Sequence, residues 1–255
     1  MKAQTMIWGW VMLAASTLCF AQGQIVLSNG EWAPYLSESL PHYGAASHIV
    51  QEAFSAKDIK TRYEFYPWKR SYKLAKDGEV NGTPVWVYTE ERAKDFYYTD
   101  VVITDYEYLF HLKEKPLTWH RIEDLKGRII GATLHTVYPT LEEGAAKGVL
   151  VIERGGNYDN LYHRLLNNRI DAIPQVNQVG QYYLRTTLSP EQRDRITYSP
   201  TVLQERKYHL ILSKKIQENK KLLARFNQGL AAIIANGTYV KILKDLENGE
   251  YDKKK

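Results

Sequence analysis

The sequence has very little cysteine: one residue, Cys19, in 255. That excludes an internal disulfide framework and any metal site built on several thiolates. It also lacks a decided charge. Thirty-four Lys and Arg face 29 Asp and Glu, a formal net charge of +5, with the two signs interleaved. Beyond Lys253-Lys254-Lys255 there is no basic block, which argues against a nucleic-acid-binding surface. That terminal run reads as solvated charge. Internal repeats and low-complexity linkers are missing, so two domains here would be joined by chain crossings and not by a flexible tether. Seven His are scattered without ligand-like pairing, so no metal site is expected, and no cofactor is expected either. The composition, 44% hydrophobic and 25% charged, is globular, and the length allows a sizeable core in one large domain or two smaller ones. What is plentiful is aromatic: 19 Tyr, 6 Trp and 6 Phe. Aromatics fill cores, and they also line ligand clefts.

Long apolar runs are missing as well, except at the start. Lys2, the apolar stretch Met6 to Leu13 running on through Ala15, and the small residues Cys19 and Ala21 have the layout of a secretory signal peptide over residues 1–21. The competing reading is a membrane anchor, but the stretch is shorter than the roughly 20 residues needed to span a bilayer. A lipoprotein signal would acylate Cys19, yet Leu18 stands where such signals want a small side chain. Cleavage after Ala21 removes the lone cysteine, so the exported protein needs no oxidative folding.

The rest of the chain alternates strand and helix signals. Gln24–Leu27, Thr61–Phe65, Thr83–Tyr88, Val101–Leu112, Arg128–Ala132, Val149–Ile152, Ile170–Ile173, Ile196–Tyr198 and Tyr208–Leu212 read as strands. Ala45–Phe54, a helix opened by Pro67 at its first position and ended by Gly78, Pro139–Ala146, Tyr158–Leu166 and Gln178–Thr186 read as helices. Thr89 caps another short one, and Ile122–Leu125 is a single turn stopped by Gly127. Leu222–Ile234 carries the clearest apolar stripe, closed by Asn236-Gly237. The alternation predicts an α/β protein with mostly parallel sheets.

Several short motifs occur in a characteristic order. They are Trp32-Ala33-Pro34-Tyr35 with Gly44, Pro67-Trp68-Lys69-Arg70 with Asp77 to Gly82, and Thr89-Glu90-Glu91-Arg92 with Tyr98-Thr99-Asp100. Asp124 to Gly127, Gly131-Ala132-Thr133, Leu166 to Ala172, Phe226-Asn227 and Asn236 to Tyr239 follow. Together they resemble family 3 of the bacterial extracellular solute-binding proteins, the periplasmic receptors for polar amino acids, over about residues 24–247. The resemblance implies a type II periplasmic-binding fold. Two α/β lobes, 22–108 plus 206–250 and 109–205, are joined by two hinge crossings, with the ligand between them and 251–255 as a basic tail. It implies a monomer that captures a small carboxylate-bearing, amino acid-like solute, with an ABC-type inner-membrane permease or a sensor as partner.

The resemblance also implies site residues. Arg92 grips the ligand carboxylate, as a planar guanidinium suits it; the bland reading is a surface arginine paired with a nearby acid. Thr136 donates to the same carboxylate. His135, just before it, donates or accepts, or is only a loop histidine. Trp32, Tyr35, Trp68 and Trp86 are candidates for aromatic walls or core residues, and Arg70 for the cleft or a lobe-bracing ion pair. Two departures bear on the ligand. The acid that takes an amino-acid ammonium is replaced by Val176, with Gln175 and Asn177 beside it, and an uncompensated ammonium in a closed cleft is costly. Asn81 stands where Asp is frequent, and Val85-Trp86-Val87 lacks the usual Ser. The pocket is expected to be more apolar and aromatic than usual. Exported dehydratases on the same scaffold are the enzymatic alternative, with Glu31 and then Asp100 as the acid, and a stand-alone sensing module is the third.

Overall fold

The apolar stripe at Ala46, Ile49, Val50, Ala53 and Phe54 is buried throughout, and the second stripe, at Leu222, Phe226, Leu230 and Ile233, packs against it. In the computed structural model, which describes residues 23–134 and 136–253, these stripes belong to two of the nine α-helices among the described residues. Residues 1–22 (the expected signal peptide among them), His135 and the last two lysines lie outside the described residues. The chain begins with β1 (Gly23–Asn29), α1 (Ala45–Ser55), β2 (Ile59–Phe65), α2 (Trp68–Asp77), β3 (Gly82–Trp86) and α3 (Glu90–Asp95). The long β4 (Phe96–Leu112) leads to β5 (Ile129–Ala132), α4 (Pro139–Ala146), β6 (Val151–Arg154), α5 (Tyr158–Leu166) and β7 (Ile173–Val176). Then come α6 (Asn177–Thr186), α7 (Pro190–Asp194) and β8 (Ile196–Tyr198). The chain returns through β9 (Gln204–Ser213) and ends with α8 (Asn219–Ala235) and α9 (Thr238–Glu247).

These elements form a two-lobed α/β fold. One lobe is centred on a core of α1, α8, α9 and the β1–β3 strands, with Phe54 and Phe226 in ring contact at 4.9 Å. The other is built around Leu125, Ile130, Leu141 and Tyr162. The strands that join them are β4 and β9, paired antiparallel from Phe96↔Ser213 to Glu107↔Gln204. Here the expectation of mostly parallel sheets fails. Among the described residues β1–β2, β1–β3 and β5–β6 are parallel, but β3–β9, β4–β9, β4–β7 and β4–β8 are antiparallel. The reason is topological: β4 leaves the first lobe and β9 returns to it, and a pattern of alternating elements carries no sign of that reversal.

Local signals are realised with small offsets. Thr89 accepts the Arg92 backbone N–H, and Gly78 adopts the left-handed conformation that ends α2. Pro67 takes the cap position and not the first helical one. The strand expected from Val149 starts at Val151, because Val149 still closes the turn on Gly144 O and Val151 is the residue that pairs with Ile129. The strand expected at Ile170 starts at Ile173, since Asp171 and Ala172 are bound to β5 before the chain turns to β4. No helix among the described residues is long and apolar enough to cross a membrane.

Residues 251 and 252, expected to open a basic tail, are docked. Tyr251 is buried and its hydroxyl meets His48 Nδ1 at 2.6 Å, while Asp252 takes a two-point contact from Arg185 of α6 at 2.7 and 2.9 Å. The His48 ring stacks on His42 at 3.8 Å. Burial, then the neighbouring His42, lowers the His48 pKa to about 4. His48 is therefore neutral at pH 7, and its 3.8 Å approach to Glu52 is not an ion pair there. An unfolded chain protonates this ring near 6.5, so the fold keeps its full stability above that pH and loses it as pH falls toward 4. The full shift would be worth about 3 kcal/mol; solvent screening of a partly exposed ring reduces this to about 1–2 kcal/mol. Urea unfolding at pH 7 and pH 5 should show that loss, and His48→Phe should remove it from the pH dependence.

Candidate functional site

Where β4 and β9 pass between the lobes, a cleft of about 300 Å³ opens. One side is aromatic. Trp32 sits in the turn after β1, its backbone N–H donating to Leu36 O at 2.7 Å, and its ring meets Tyr208 of β9 edge-on at 5.1 Å. Trp68, at the start of α2, lies across Gly30 and donates its indole N–H to Glu31 O at 3.2 Å. A side chain on Gly30 would collide with that indole. Val85, Val87, Val176 and Val179 complete an apolar lining.

The two charged residues of the cleft come from the crossing strands. Arg206 Nη2 donates to Glu107 Oε2 at 2.9 Å, and a longer contact, 3.4 Å, reaches Val137 O. The Glu107 side chain is 4% exposed and that of Arg206 17%. Burial pushes the Glu107 carboxyl above the ordinary carboxylate range, against the pull of Arg206. Gln175 is 1% exposed, and neither its amide nitrogen nor its oxygen has a hydrogen-bond partner among the described residues. Thr136 and Tyr158 also line the cleft. The Thr136 loop is held by Arg154, which donates to the carbonyls of Thr133 and Thr136 at 2.9 and 2.8 Å.

The structure distributes the expected site residues unevenly. Trp32, Trp68, Thr136 and Gln175 line the cleft. Asn177 begins α6 next to it, with its side-chain oxygen buried and unpartnered among the described residues. Tyr35 lies behind Trp32 at 5.0 Å, fully buried, and its hydroxyl donates to Asp105. Asp105 also accepts the Gln178 backbone N–H at 3.3 Å. Tyr35 therefore ties the first turn to the crossing strand and to α6. Arg92 and Trp86 line an adjoining groove that shares Trp68 with the cleft. There the Arg92 guanidinium lies over the Trp86 ring at 4.9 Å and donates to Val87 O at 3.1 Å. Arg70 lies over Tyr66 at 4.7 Å, outside both cavities. His135 is outside the described residues. Glu31 and Asp100 are exposed and line neither cavity.

Glu107, Arg206, Tyr158 and Tyr208 are cleft residues that the sequence reading passed over. A signal was present for the acids. Along β4, Ile103, Asp105, Glu107 and Leu109 share one parity and are all buried, while Thr104 and Tyr106 are exposed. Two acids on the apolar face of a strand are unusual unless paired or functional. In register, Glu107 stands directly across the β4–β7 pair from Val176.

A family model described as bacterial extracellular solute-binding proteins, family 3, matches residues 25–246. No curated protein sequence matches the chain. Among solved structures, an ancestral arginine-binding protein bound to arginine is similar at TM-score 0.66 and 18% identity, covering 88% of this chain and 98% of its own. The open second substrate-binding domain of Lactococcus lactis GlnP is similar at TM-score 0.69 and 17% identity, covering 92% and 97%. A histidine kinase sensor domain with similarity to periplasmic binding proteins is similar at TM-score 0.66 and 18% identity, covering 88% and 96%. At these identities the likeness is one of fold.

Proposed function

We propose that this chain, which belongs to family 3 of the bacterial extracellular solute-binding proteins, captures a small amino acid-like solute between its lobes and releases it unchanged. The observation that carries the reading is the cleft itself, where an aromatic wall meets a buried acid–base pair at the crossing strands. Ligands held at such a position couple binding to hinge closure. Export to the periplasm through the N-terminal signal, and delivery to an ABC-type permease, complete the proposal. The arginine-bound neighbour supports the amino acid class, and the sensor-domain neighbour has the same fold without serving uptake by name. The enzymatic alternative loses ground because Glu31 and Asp100 do not line the cleft. A thermal-shift screen with L-amino acids, dicarboxylates and aromatic acids tests the reading. A ligand at 100 times its Kd adds about 2.7 kcal/mol, which at this chain length raises Tm by roughly 5–10 °C. The bound compound should be recovered chemically intact; its consumption would make the protein an enzyme.

A further inference from the structure

The polar end of the cleft is built for more than its own stability. Glu107 receives one hydrogen bond among the described residues, from Arg206, although a carboxylate can accept about four. Among the described residues Arg206 uses one of its five N–H groups at good distance, on Glu107, and one long contact to Val137 O. Gln175 brings an unpartnered donor and an unpartnered acceptor to the same cleft while 1% exposed. Buried amide groups unpaired like those of Gln175 are costly, and Glu107 and Arg206 are the charged groups beside it. Their charges fix the occupant's charge. One cation and one anion already balance, so a solute carrying net charge at this end leaves an excess charge beside the buried Glu107. A solute with one positive and one negative group can face both. Around these groups the walls are Trp32, Trp68, Tyr208 and valines, which carry no counter-charge for a charged side chain.

From this we infer that the cleft recognises a zwitterionic α-amino acid with an apolar or aromatic side chain. Arg206 holds its carboxylate, Glu107 its ammonium, and Gln175 bonds to both. Trp32, Trp68 and Tyr208 take the side chain. The inference rests on the cleft being the solute site. It gives the ammonium an acid on β4, opposite Val176 in register.

The test titrates the purified protein calorimetrically with L-phenylalanine, L-leucine, 3-phenylpropionate, 2-phenylethylamine, L-glutamate and L-arginine. Phenylalanine or leucine should bind most tightly. The two phenyl analogues, each lacking one charged group, should bind roughly 10–100-fold more weakly, as expected for losing a hydrogen bond to a charged partner. In Glu107→Gln, the advantage of phenylalanine over 3-phenylpropionate should shrink to a few-fold. Should that variant fail to fold, the analogue comparison on the natural chain decides alone. Tighter binding of glutamate or arginine overturns the inference while leaving amino acid capture standing. So does loss of phenylalanine binding in Arg92→Ala together with full retention in Arg206→Lys. Silence across the panel, with binding of an unrelated solute class in the wider thermal screen, overturns the amino acid reading itself.

Discussion

Gly229→Ala should destabilise the fold by at least about 3 kcal/mol, a loss of roughly 6–12 °C in Tm for a chain of this length. Helix propensity alone points the other way. Alanine in a helix interior is favoured over glycine by about 1 kcal/mol, and Gly229 lies in the middle of the 17-residue α8. The opposing term is steric. A Cβ on Gly229 would be driven into the backbone carbonyl oxygen of Ala53 on α1, and neither backbone can rotate away. Relief requires the two helices to separate along the contact that brings Phe54 against Phe226, which opens the first lobe's core. Interiors packed to crystal density do not absorb such a shift. Gly23→Ala is the control: nothing lies within 4 Å of its Cβ and its φ is ordinary, so its Tm should stay within about a degree. Differential scanning calorimetry of the two variants checks both values, and equal Tm values would mean that the α1–α8 contact is looser than described.

That glycine also illustrates what a sequence holds and what it hides. The apolar stripes of α1 and α8 were legible because each repeats at helical spacing within its own segment. So were the Thr89 cap and the Gly78 stop, since their hydrogen bonds close within four residues. Which residue of α8 touches which carbonyl of α1 depends on how two helices 170 residues apart cross, and no local pattern records it. The site divides the same way. Trp32, Trp68, Thr136 and Gln175 could be singled out by short motifs or by position near them, and they line the cleft. Tyr35 carried the same kind of signal but turns inward to Asp105. Arg206 and Glu107 meet only because β4 and β9 pair antiparallel, across 99 residues of chain. The buried parity of Asp105 and Glu107 was visible in principle, yet an acid on a strand face acquires meaning only once its partner is known.

Arg206→Met should cost about 3–5 kcal/mol, because it leaves Glu107 buried without its cation. The carboxyl is already held above its ordinary range by burial, and loss of the guanidinium raises it further. A raised carboxyl pKa penalises the fold in full above that pKa; the penalty shrinks as pH falls and vanishes only below the unfolded value of about 4.3, where the group is protonated in both states. The variant should therefore be much less stable than the natural chain at pH 8 and approach it as pH falls to about 4, measured by urea unfolding at constant ionic strength. Arg206→Met combined with Glu107→Leu removes both charges and replaces them with apolar volume. For buried pairs such a replacement is commonly neutral or stabilising by 1–4 kcal/mol, and Arg206, at 17% exposed, is dry enough for that comparison. The double variant should thus recover natural stability while losing solute binding. Stability alone would not keep a charged pair at the hinge strands if leucine and methionine serve as well. What remains to keep it is the solute, and a double variant that stayed as unstable as Arg206→Met would return the pair to a purely structural role.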